Sequence, residues 1–127
     1  MGTESSNRGW LAVGLWVALQ VTLTSLPGKA IPVALPHPVD WFGHAGLYGG
    51  TGVLLARAGI LRGWAARRLA WMALLLSVWA ALDELHQLFI PGRDAEVGDW
   101  VADTLGGSIG LYVGTRLMTS RVARWLR

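Results

Sequence analysis

The chain has 127 residues, 53% of them apolar, with eight Trp, no Cys and a formal net charge of +3. That length suits one domain, and the absence of Cys excludes disulfides and thiol chemistry. The apolar residues come in long blocks flanked by Arg, so the positive charge does not form the solvated stripe of a nucleic-acid binder.

Met1 to Gly9 is short and polar. Trp10 to Leu26 is apolar except for Gln20, Thr22, Thr24 and Ser25, and it predicts a helix over about 10–26, at the short end for a bilayer span. Arg8 followed by an apolar block also fits a secretory signal peptide, but the block is long for one and no A-x-A site follows it. Pro27-Gly28 ends this run. Pro32, Pro36 and Pro38 then make the next stretch an extended interfacial loop, with His37 solvated between two prolines.

Asp40 is placed to cap a second apolar run, about 41–61, rich in glycine at Gly43, Gly46, Gly49, Gly50 and Gly52. Such residues let membrane helices approach closely. After Arg57, Arg62, Arg67 and Arg68 comes a third run over about 69–90. It carries Asp83, Glu84, His86 and Gln87 about two helical turns short of its end, and stops at Pro91-Gly92-Arg93. Asp99 opens a fourth run over about 99–118, and Arg116, Arg121, Arg124 and Arg127 follow.

These runs predict an all-α membrane protein, a four-transmembrane-helix bundle forming one domain over 1–127. Cations concentrate at the turn between the second and third runs and in the tail, while the opposite loops carry only Lys29 and Arg93. The positive-inside rule then puts both termini in the cytoplasm and all acids except Glu4 in the outer half. Trp10, Trp41, Trp64 and Trp100 fall near span ends, as an aromatic belt would place them.

An ionisable group inside a span costs about 2.5–3.5 kcal/mol on insertion scales, so such groups should turn toward one another. Asp40, His44 and Tyr48 share one face of the second run at four-residue spacing. Asp99 and Asp103 share a face of the fourth, continued by Gly106, Gly110 and Gly114. With Asp83, Glu84 and Gln87 they predict an outward-facing acidic pocket, over which Arg93 folds as a counter-charge. Asp83, Glu84, Asp99, Asp103 and His44 offer oxygen and nitrogen ligands suited to Mg, Mn or Zn, but no H-E-x-x-H or comparable spacing assigns a metal or any cofactor. There is no G-x-S-x-G elbow and no Gly-Lys phosphate loop.

The pattern Asp40-x3-His44-x3-Tyr48, Asp83-Glu84-x2-Gln87-x3-Pro91-Gly92-Arg93, Asp99-x3-Asp103-x2-Gly106-x3-Gly110 resembles the VanZ-like family of small membrane proteins over roughly 37–115. Two positions depart from it: Trp41 stands where the family carries Lys, and Asp103 where it carries Asn. The family's namesake is associated with reduced susceptibility to the glycopeptide teicoplanin. The resemblance therefore implies a multi-pass protein of the cell membrane with a cell-envelope role, and no established reaction.

On this reading the acidic pocket binds a lipid-linked, lipid-headgroup or glycopeptide-type ligand, such as a cell-wall precursor, with membrane lipids as neighbours. Asp40, His44, Tyr48, Asp83, Glu84, Gln87, Arg93, Asp99 and Asp103 line it, and the glycine faces admit an acyl chain. A second reading makes the chain a small intramembrane hydrolase or transferase, with Glu84 or Asp83 as base and His44 assisting. A third makes it a structural subunit of a larger complex, with Glu84 paired to Arg93. The glycine stripe also permits a homo-oligomer.

Overall fold

A computed structural model describes residues 3–30, 36 and 38–125; Pro32, His37, Arg127 and the side chain of Arg124 lie outside this description. The described residues are all-α with no strand: α1 (Thr3–Thr24), a 3-10 turn (Gly28–Ala30), α2 (Val39–Leu61), α3 (Ala66–Gln87) and α4 (Val97–Trp125).

Several helix ends differ from those the sequence suggests. α1 starts within the polar segment, and α4 runs past Met118 into the Arg-rich tail. Asp40 is not a cap, and Asp99 does not open its helix, which starts at Val97. Pro38 precedes α2 with no side-chain capping bond, and both acids sit in the first turn of their helices, where the positive end of the helix dipole favours them. α3 stops at Gln87 because Leu88, Phe89 and Ile90 fold into a tight turn, their N–H groups donating to Leu85, His86 and Gln87. Asp83 and Glu84 therefore lie about one turn, roughly 5 Å, from the helix end instead of two.

α2 and α4 form the most extensive contact in the bundle. They run parallel, with Ala45 opposite Gly106, Gly49 opposite Gly110 and Val53 opposite Gly114. A methyl group at Gly106 would overlap the Ala45 carbonyl, and one at Gly110 the Gly49 carbonyl. Much of the glycine face is thus taken up by close backbone-to-backbone packing.

α1 is antiparallel to α2 and bonded along its length. Arg62 Nε donates to Ser6 Oγ at 2.7 Å, Trp16 Nε1 to the Leu47 carbonyl at 3.0 Å, and Thr51 Oγ1 to Gln20 Oε1 at 2.7 Å. At the far end the two Pro-Gly turns meet. Gly28 N–H donates to the Pro91 carbonyl at 3.0 Å, and Gly92 takes φ +75°, a conformation that suits glycine. The opposite end holds Arg62 and Arg68: Trp10 packs on Trp64 with ring centroids 5.4 Å apart, and Arg68 lies over the Trp64 ring at 5.5 Å.

Polarity is inverted relative to a water-soluble core. Gln20, Thr24, Thr51, Asp83, Glu84, Gln87, Asp99 and Asp103 are buried, while Leu11, Leu15, Trp71, Leu74, Phe89 and Ile109 are exposed. α3 is the one described helix long and apolar enough to cross a membrane by length and composition.

Candidate functional site

The site occupies the end of the bundle away from Arg62 and Arg68. Successive residues on a helix point about 100° apart, and this splits the Asp83-Glu84 pair between two environments. Asp83 turns toward α1 and α2. Its Oδ1 accepts from Thr24 Oγ1 at 2.9 Å and its Oδ2 from Tyr48 Oη at 3.1 Å. Both carboxylate oxygens are thereby occupied in a lock joining three helices.

Glu84 turns toward the start of α4. Its Oε2 accepts from the Glu96 backbone N–H at 2.9 Å, and its Oε1 from Gln87 Nε2 at 3.3 Å. Arg93 Nε donates in turn to Gln87 Oε1 at 3.2 Å. Arg93 thus sits at the rim, as its position after Pro91-Gly92 suggests, and it addresses Glu84 through the Gln87 amide. The Gly92 turn brings the chain back so that the loop lies over Glu84 before α4 begins.

His44, from α2, stands between two aspartates of α4. Its Nδ1 is 3.1 Å from Asp103 Oδ1 and its Nε2 is 3.5 Å from Asp99 Oδ2. Asp103 is fully buried, and its other oxygen, Oδ2, has no hydrogen-bond partner among the described residues. His44, Glu84 and Asp103 each bring one potential ligand atom within 4.8 Å of the others, and so do Asp40, His44 and Asp99.

The structure therefore gathers Asp40, His44, Glu84, Asp99 and Asp103 into one cluster, with Gln87 and Arg93 bracing it. Asp83 and Tyr48 form the neighbouring lock. His86 is exposed and faces Ser25 Oγ at 3.1 Å. Sequence reasoning misses Thr24, which completes the lock, and the paired Gln20 and Thr51. Gln20 and Thr24 lie one turn apart in an apolar helix, and that spacing is the available signal.

Beside the cluster, Trp41, Phe42, Val101, Leu105 and Ile109 line an apolar groove of about 420 Å³ between α2 and α4. Its wall includes Ala45, Gly98 and Ala102, the sequence neighbours of His44, Asp99 and Asp103. The Trp41 ring occupies the space where a side chain at Gly98 would stand.

A small helical bundle with acids and a histidine gathered at one buried end is the class these features define. The VanZ/LLP1 family profile matches residues 10–118, and the chain belongs to that family. No curated protein and no solved structure matches the chain.

Proposed function

We propose that this chain is a four-span protein of the cell membrane, with both ends cytoplasmic, whose acidic end faces outward and binds the polar head of a lipid-linked envelope ligand. The observation that carries this reading is the inverted polarity: acids and amides lie inside while large apolar side chains cover the outer faces. Exposed apolar surface on that scale marks contact with lipid or with a partner. In hydrocarbon every buried acid must find a partner within the bundle, and Asp83 and Glu84 each accept two hydrogen bonds.

Ligand binding follows from the two halves of the site. The cluster around His44 and Glu84 offers polar contacts at the outer end. The groove beside Trp41 and Ile109 opens onto the apolar face and takes an acyl or polyprenyl chain. A wall precursor has this two-part chemistry, and a protein that held one would influence glycopeptide susceptibility.

Two experiments test the reading. Reporter fusions after Arg68 and after Arg127 are expected to report the cytoplasm, and a fusion after Glu96 the outside; any other pattern overturns the topology. Native mass spectrometry from a mild detergent is expected to show a retained lipid-type adduct on the wild type, with occupancy reduced about tenfold or more in Glu84→Ala, equivalent to about 1.4 kcal/mol. A bare wild type, unchanged by the substitution, would favour a structural subunit. An enzyme would instead retain its adduct in Glu84→Gln and lose turnover entirely.

A further inference from the structure

We propose that His44, Glu84 and Asp103 hold a single divalent transition-metal ion of the zinc or manganese class. Three helices deliver these residues, α2, α3 and α4, and one ligand atom from each already lies within 4.8 Å of the other two. The His44 Nδ1 to Asp103 Oδ1 separation of 3.1 Å is close to the roughly 3.3 Å edge of a tetrahedron with zinc–ligand bonds of about 2.0–2.1 Å.

A second observation points independently to a cation. Asp103 is fully buried, yet its Oδ2 accepts no hydrogen bond among the described residues. A buried carboxylate oxygen without a donor is costly, and a metal ion chelated by both Asp103 oxygens removes that cost.

The surroundings of His44 accommodate the ion. Each ring nitrogen faces a carboxylate, but a neutral imidazole has only one N–H. Without a metal an imidazolium donating to both carboxylates satisfies this arrangement; with the neutral ring, Nε2–H points to Asp99 and the Nδ1 lone pair is left to ligate a cation shared with Asp103. Ligating histidines commonly donate their other N–H to a carboxylate, which fixes the ring. Asp99 is placed for that role, and the Glu96 N–H and Gln87 amide hold Glu84 in the same way. One nitrogen and two carboxylates suit zinc or manganese better than calcium, which takes 6–8 oxygen ligands. Three protein ligands leave a position open.

This deepens the ligand-binding reading and rests on it for what the ion does: a cation in the open site lets an acidic pocket accept a phosphate-bearing head. The metal site itself rests on the geometry alone.

Metal content of the purified full chain, followed by EDTA treatment and titration with Mn²⁺ monitored by electron paramagnetic resonance, tests the proposal. One Mn²⁺ per chain is expected. Asp103→Asn and Glu84→Gln should each weaken binding at least tenfold, and Asp99→Asn about 10–100-fold. Asp94→Asn should leave it unchanged, because Asp94 is exposed and belongs to neither group of ligand atoms. Helicity and elution volume in detergent identify which variants are folded, and Glu84→Gln serves if Asp103→Asn is not.

No stoichiometric binding by the wild type, or binding unaltered in a folded Asp103→Asn or Glu84→Gln protein, overturns the proposal. Loss on Asp40→Asn alone also overturns it, by moving the ion to the outer group. Lipid retention in native mass spectra is read separately. A lipid adduct without metal sinks the metal site and leaves the ligand reading standing; metal without any lipid adduct does the reverse.

Discussion

Gly110→Leu is expected to prevent α2 and α4 from seating against each other, lowering stability by about 3 kcal/mol or more. Overpacking a core commonly costs about 1–3 kcal/mol, because neighbouring side chains can change rotamer to make room. Here the neighbour is the Gly49 backbone, whose carbonyl lies where even the first carbon of a side chain would stand. Backbone has no rotamer to change, so the helices must separate, and Ala45 with Gly106 and Val53 with Gly114 lose contact together. Thermal unfolding in detergent, followed by circular dichroism, measures the effect. Gly46→Leu is the matched control. Gly46 is exposed, with nothing within 4 Å of the point where a methyl group would stand, so the change there should stay within about 0.5 kcal/mol. Equal losses at both positions would show that the Gly49–Gly110 approach is not what makes Gly110 sensitive, because Leu has the better helix propensity and propensity alone would raise stability at both.

Asp83→Leu should cost a similar amount for a different reason. The substitution leaves the Tyr48 and Thr24 hydroxyls buried and facing an apolar side chain. An unsatisfied buried group costs about 1–3 kcal/mol, and hydrogen bonds to a charged acceptor fall at the upper end of the usual range. Thr24 retains a fallback in the Val21 carbonyl at 3.3 Å, so most of the loss falls on Tyr48. About 3 kcal/mol is therefore expected for Asp83→Leu and about 1 kcal/mol for Asp83→Asn, which keeps an acceptor oxygen. Combining Asp83→Leu with Tyr48→Phe should restore part of the loss, because no hydroxyl is then stranded at that position. A double-mutant cycle reads this directly, and strictly additive losses would show that no such lock exists.

The four helices are legible from the sequence because apolar blocks and Pro-Gly breakers are local signals. The gathering of Asp40, His44, Asp99 and Asp103 is foreshadowed by their four-residue spacing, which puts each set on one face. The division of Asp83 from Glu84 is not legible. Adjacent acids look like one pair in a sequence, and only the positions of Thr24, Tyr48 and the Glu96 N–H reveal that they serve different neighbours. The glycine stripe signals close approach, but the sequence does not say to what. That α4 fills the α2 face depends on the register between distant segments. The end of α3 is hidden because Leu88, Phe89 and Ile90 are as apolar as the helix before them, and hydropathy does not register a turn.

The adjacency of Asp83 and Glu84 also makes α3 a shaft with two bearings set side by side. One bearing rides on Thr24 and Tyr48, the other on Glu96 and Gln87. Since a helix turns as a rigid body, any rotation of α3 that carries Glu84 relative to His44 also drags Asp83 across its hydroxyl partners. Through Thr24 the angle of the shaft is thereby coupled to the seating of the first helix.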